Sequence, residues 1–289
     1  MSVSKIAKAG LVAGVVFATA QISSGTQLVY LPMDETTNPS IGLTVANTSG
    51  NAANGVMLSD LGVTGAIVGA PSVNAGLYGT AYDFASQATE ANYIDLNNGA
   101  TNLFTRDAAL TYAMWLKPTA TQLDSTTTVM GTPGNGFEFK IVSSGSDWAL
   151  NLVCTNAPTS TLTSSSTILS DAWTHVAITK DINGSGGTNL ANVNFYINGV
   201  LQESGTIGRS SGSPSSGVVR RLFFAADGVV PNYYQGGMDE VYVYNEVLDG
   251  ATIAGLAAVP EPGSIFMAVI GLIAVAGSRL RKRRRALEG

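Results

Sequence analysis

Asp239, Glu240 and Glu246 are the carboxylates whose spacing invites a chemical reading. Two carboxyl groups facing each other across a glycosidic bond are the machinery of sugar hydrolysis. Neighbours on a strand point to opposite faces, so Asp239 and Glu240 are expected to diverge, and Glu246 falls beyond the expected end of its strand. No hydrolytic pair is predicted from them. His175 is the only histidine, which excludes a centre built from several imidazoles and leaves a structural hydrogen bond as its expected role. Cys154 is the only cysteine and lies in the apolar run Leu150 to Cys154, so a buried side chain is expected and an internal disulfide is excluded. The chain contains no His-Glu-x-x-His and no Gly-x-x-x-x-Gly-Lys. Aromatic residues remain as candidates for ligand contact. Trp148 follows the turn-like Ser143 to Asp147 and would either pack inward or offer a platform to a sugar ring; Tyr233 and Tyr234, beside Pro231, would line a ligand surface or close the end of a sheet.

The elements that must carry these residues read as strands. Leu110, Tyr112, Met114 and Leu116 alternate with Thr111, Ala113, Trp115 and Lys117, and Val193, Phe195 and Ile197 alternate with Asn194, Tyr196 and Asn198. This period of two is that of a strand with one buried face. The second strand runs into Asn198-Gly199 and then Val200-Leu201, a two-residue hairpin signal because both central positions favour positive φ. Ser164 to Ser166 and Ser210 to Ser216 are polar, low-complexity loops with no assigned chemistry. The fold class expected is all-β, a two-sheet sandwich.

Both ends of the chain look like addresses. Lys5 and Lys8 precede the apolar Ala9 to Ala18, and Ala18-Thr19-Ala20 is a small-x-small cleavage site, so residues 1–20 are expected to be a secretory signal peptide with the mature chain starting at Gln21. At the other end, Pro260, Glu261 and Pro262 precede an uncharged stretch from Gly263 to Ser278 and then Arg279, Arg281, Lys282, Arg283, Arg284 and Arg285. This order resembles the PEP-CTERM sorting signal of bacterial envelope proteins. The resemblance implies an exosortase-type sorting enzyme as partner and an envelope, cell-surface or extracellular-matrix destination. As a helix, residues 263–278 would be about 24 Å long, a thin membrane span extended by snorkelling Arg and Lys, with the C-terminus cytoplasmic. Between these ends, Gln21 to Pro262 carries 7 Lys and Arg against 19 Asp and Glu, a net charge of −12. Such a body disfavours nucleic acid as a partner.

Several segments, in order, resemble the laminin-G-like jellyroll, a concanavalin A-like sandwich. They are Leu28 to Glu35, Gly79 to Phe84 with Tyr93 to Leu96, Ala109 to Pro118, Trp173 to Asp181 leading into Val193 to Gly205, and Gly236 to Ala257. The resemblance implies one such domain over residues 21–258, followed by a sorting tail over 259–289. It implies core roles for Trp115 and Trp173. Jellyroll glucanases carry Glu-x-Asp-x-x-Glu on one strand, and no such motif occurs here. The family also pairs its opening and closing strands, which would bring Asp34 and Asp239 together as ligands for a calcium ion; capping and backbone hydrogen bonds are the alternative for both. The function expected is non-catalytic binding of exopolysaccharide or another glycan by a lectin-like jellyroll. The alternatives are a structural or protein-interaction envelope protein without a sugar site, and a divergent glycoside-active enzyme.

Overall fold

The computed structural model describes residues 26–34, 44–49, 55–59, 72–75, 80–84, 92–97, 104–105, 109–120, 122, 126–131, 137–154, 161–182, 190–208, 218–219, 221–224 and 233–258. The signal peptide expected over residues 1–20, the membrane span expected over 263–278 and the basic cluster over 279–285 lie outside the described residues. Among the described residues no helix is long and apolar enough to cross a membrane.

Two eight-stranded antiparallel sheets stack on each other. Sheet I runs β15 (Val200–Gly208), β14 (Leu190–Ile197), β13 (Thr174–Asp181), β8 (Leu110–Pro118), β18 (Gly236–Tyr244), β5 (Thr80–Asp83) and β4 (Ser72–Ala75), with β1 (Gln27–Leu31) pairing the remaining length of β18. Sheet II runs β12 (Thr161–Ile168), β11 (Asp147–Cys154), β10 (Phe137–Ser144), β9 (Thr126–Gly131), β17 (Arg221–Phe224), β6 (Asn92–Asn97), β3 (Gly55–Ser59) and β2 (Thr44–Val45). A short pair, β7 (Phe104–Thr105) with β16 (Val218–Val219), stands apart.

The period-two pattern decides what faces inward. Leu110, Tyr112, Met114 and Leu116 all enter the core, as do Val193 and Phe195, and Ile197 packs against it. From the opposing sheet come Ile94, Leu96, Phe139, Ile141, Leu150, Leu152 and Cys154. Each large side chain so buried contributes about 1.5–3 kcal/mol, and one continuous core holds both sheets without a disulfide. Where the sheets meet at β12 and β15, Ser165 donates from its backbone N–H (2.6 Å) and its hydroxyl (2.8 Å) to Glu203 Oε2. These bonds tie the two edge strands together.

Asn198 and Gly199 take φ of 50° and 77°, the mirror-image turn that the sequence signals. The turn also seats the helix α1 (Gly250–Ala257), which Asp249 caps by accepting the Thr252 N–H at 2.7 Å. A Cβ on Gly199 would stand 2.8 Å from the Ala254 Cα, so glycine there serves both the turn and the close approach of the helix. Tyr196, Ala113, Ala177, Tyr244 and Leu248 pack with Ile253 of α1 in a second, smaller cluster on the outer face of sheet I.

Candidate functional site

The register of sheet II lines up polar side chains across its outer face. On β10, Phe139 and Ile141 are core residues, so Glu138 and Lys140 point outward. Lys140 lies opposite Asn151 of β11 on one side and Thr128 of β9 on the other, and Asn151 lies opposite Thr163 of β12. Thr128 in turn bridges Tyr233, whose ring stacks on Tyr93 of β6 at 6.4 Å. The result is a row of six: Tyr93, Tyr233, Thr128, Lys140, Asn151 and Thr163. At about 4.8 Å per strand it spans about 24 Å.

The row is ordered by its own bonds. Lys140 Nζ pairs with Glu138 Oε2 at 2.7 Å, both side chains about one-eighth exposed. Asn151 donates to Thr163 Oγ1 at 2.6 Å. Thr128 is fully buried and its hydroxyl has no partner. Hydroxyls, a carboxamide, an ion pair and aromatic rings are the groups that bind polyhydroxylated ligands, and these need little reorganisation to do so.

The outer face of sheet I is built differently. His175, Trp115 and Asp239 lie opposite one another on β13, β8 and β18. His175 and Asp239 are wholly buried, and neither His175 nitrogen nor Trp115 Nε1 has a partner. The Trp115 and His175 rings meet edge to face at 5.4 Å, and burial pushes the His175 imidazole down to about 4. The imidazole therefore makes no structural hydrogen bond, contrary to expectation, and only the His175 backbone N–H is bonded, to Asn198 Oδ1 at 3.1 Å.

Asp239 and Glu240 do not diverge as strand alternation requires. The ladder between β18 and β8 slips between Asp239 and Tyr242, and Glu240 takes a φ of 50°. This β-bulge turns Glu240 to the outer face, where it accepts from Tyr30 (2.9 Å) and from Tyr242. Burial raises the Glu240 carboxyl above its usual range, Asp34 adds to the shift, and the two tyrosine hydroxyls oppose it. The Tyr30 and Tyr242 rings stack at 4.6 Å, and burial, with Glu240 beside it, pushes the Tyr30 hydroxyl up to about 12.

β1 pairs with β18 as the closing-strand expectation requires, with Leu31 opposite Val241. Asp34 is exposed and accepts the Thr80 N–H at 3.2 Å, while Asp239 is buried and accepts the Glu240 N–H at 3.0 Å. Among the described residues no group of three or more His, Cys, Asp or Glu could hold a metal. A calcium ion there would need backbone carbonyls to complete its shell.

The three aromatic candidates fare differently. Trp148 belongs to the core, with its indole N–H donating to Ser170 Oγ at 3.1 Å, so it presents no platform. Tyr234 is fully buried and donates its hydroxyl to the Gly237 carbonyl at 2.8 Å. Tyr233 stays outside the main core, in the row on sheet II. Thr128, Lys140 and Asn151 escape a sequence reading because only strand register brings them together.

Residues 88–254 match the family described as the concanavalin A-like lectin/glucanases superfamily, and the chain belongs to it. Residues 258–284 match the PEP-CTERM protein-sorting motif, which marks the chain for export and sorting to the cell envelope. No protein of curated function matches the sequence. Among solved structures, domain 4 of AbnA, a GH43 extracellular arabinanase from Geobacillus stearothermophilus solved with arabinotriose, is 19% identical with a TM-score of 0.56, over 81% of this chain and 99% of that one. The binding domain of botulinum neurotoxin DC, solved with rat synaptotagmin II, is 15% identical with a TM-score of 0.56, over 80% of this chain and 51% of that one. A botulinum neurotoxin type C structure, described as dependent on two ganglioside molecules for cell entry, is 14% identical with a TM-score of 0.54, over 80% and 50%. The chain thus spans about half the length of the neurotoxin chains. At these identities the likeness concerns the fold.

Proposed function

We propose that this is a non-catalytic, lectin-like envelope protein that binds exopolysaccharide or another extended glycan along the outer face of sheet II. The observation that carries this reading is the row from Tyr93 to Thr163, with its stacked tyrosines, its ion pair and the unpartnered Thr128 hydroxyl. A jellyroll domain of an arabinanase solved with arabinotriose supports the choice of ligand class. The net charge of −12 between Gln21 and Pro262 favours neutral glycans over polyanionic ones. A glycan array probed with the purified exported protein tests the reading, which predicts retention on neutral polysaccharides. Binding to proteins of the envelope and to no glycan would favour the matrix-assembly alternative.

In this reading the chain is held in the membrane by residues 263–278 until an exosortase-type enzyme acts near Pro262. Mass spectrometry of surface-released protein should give an N-terminus at Gln21 and no Arg283 to Arg285 peptide. Recovery of either intact end from released material would overturn it. A calcium ion near Asp34 and Asp239 belongs to the same proposal, as a structural ion stabilising the junction of the terminal strands. The negative field shared by Asp34 and Glu240 supports it.

A further inference from the structure

Among the described residues, the large apolar side chains left exposed gather at one end of the sandwich. Leu169, Val200 and Leu201 are 59%, 61% and 50% exposed. Val200 and Leu201 follow the Asn198-Gly199 turn, and Ile197 lies opposite Val176 near the start of β13. Leu169 lies in the connection that enters β13 at Thr174, and its neighbour Asp171 donates its N–H to the Pro118 carbonyl at 2.7 Å, at the end of β8. All three therefore occupy the end where β8 finishes and β13 begins.

The described chain finishes at the same end. Helix α1 runs from Gly250 to Ala257, and a Cβ on Gly199 would meet the Ala257 side chain at 3.1 Å. The last described residue, Ala258, thus lies beside the exposed hairpin. Only Val259 to Pro262 separate it from the uncharged stretch beginning at Gly263. At no more than about 3.5 Å per residue, that linker holds the hairpin end within about 17 Å of wherever Gly263 is seated. Tyr196 to Gln202 and Ala254 to Ala258 carry no charge, whereas the body as a whole is acidic. Lys117, Asp147 and Asp171 add one positive and two negative charges to this end.

We infer that Leu169, Val200 and Leu201 form a lipid-facing contact that rests in the headgroup region of a phospholipid bilayer while the sorting tail holds the chain there. The inference rests on the membrane anchoring proposed above and adds an orientation to it. With the hairpin end down, β14 and β15 stand up from the bilayer, and the linker to the sorting enzyme's cleavage region lies at the membrane surface. Apolar side chains gain by leaving water there, while the acidic remainder is kept away by anionic lipid.

Site-specific fluorescence tests it on the full chain in vesicles of phosphatidylcholine and phosphatidylglycerol containing a spin-labelled quencher lipid. An environment-sensitive dye is placed on Leu201→Cys, on Leu169→Cys, or on Thr206→Cys, an exposed control about 17 Å further along β15. The native Cys154 is buried and does not compete for label. The expected result is a blue shift and strong quenching at 201 and 169, with neither at 206. Vesicle-bound protein in which 201 and 169 are as wet as 206 would overturn the orientation and leave the anchoring in place. Protein that does not float with the vesicles would overturn the anchoring, and this inference with it.

Discussion

The two outer faces of the sandwich each carry a cross-strand row of polar residues, and the rows have opposite fates. On sheet I, His175, Trp115 and Asp239 are sealed from water, and the imidazole stays neutral over the physiological range because burial lowers its affinity for a proton. On sheet II, Lys140 and Glu138 lie 2.7 Å apart as a pair at the margin of solvent. A row that sacrifices ionisation is structural, since charging it costs free energy. A row whose ion pair and Thr163 reach solvent can exchange their bonds for a ligand's.

Gly199→Val attacks the structural face hardest. It forces a β-branched residue into positive φ and drives a Cβ into the α1 backbone, so stability should fall by on the order of 3 kcal/mol in chemical denaturation. Glycan affinity of the remaining folded protein should not change. An unaltered denaturation midpoint would mean that α1 does not rest on this turn.

The same contrast governs response to acid. The His175 pKa is lowered from 6.5 to about 4, so the unfolded chain binds the extra proton first as pH falls. Stability from this residue is intact above 6.5, is lost between 6.5 and 4, and changes no further below 4. The loss totals on the order of 3 kcal/mol. Glu240, raised by burial, acts with the opposite sign and blunts the decline. His175→Phe keeps an aromatic ring against Trp115 and should flatten the profile in that window. A profile of unchanged slope would mean that the imidazole is hydrated and titrates normally.

The comparison also shows what the sequence could disclose. Alternation at Leu110 to Leu116 marked the core face, and Asn198-Gly199 marked the hairpin, because both depend on neighbours in the chain. The bulge was legible in principle: apolar residues at 238, 241 and 243 break the period of two, which requires an extra residue between Met238 and Val241. Adjacency of Asp239 and Glu240 argued for opposite faces and concealed it. The sheet II row was not legible, since Thr128, Lys140 and Asn151 meet only through inter-strand register. Trp148 stood beside a turn, yet the alternation of β11 carries it inward with Leu150 and Leu152.

Calcium would sharpen the contrast by adding an ion to the structural face alone. If it binds the folded state, stability should rise by about 2.7 kcal/mol at a hundredfold excess over Kd, and chelation should lower Tm. Asp239→Asn should abolish most of that response while the fold persists. Identical melting in calcium and in chelator would return Asp34 and Asp239 to hydrogen bonding alone.

The most direct test of the central claim is titration of a neutral polysaccharide selected on the array into wild-type protein and into Tyr233→Ala, Asn151→Ala and Lys140→Met. A glycan lying along sheet II predicts that each variant loses about tenfold or more in affinity, equivalent to about 1.4 kcal/mol, while melting as a folded protein. Unchanged affinity in all three folded variants would contradict it.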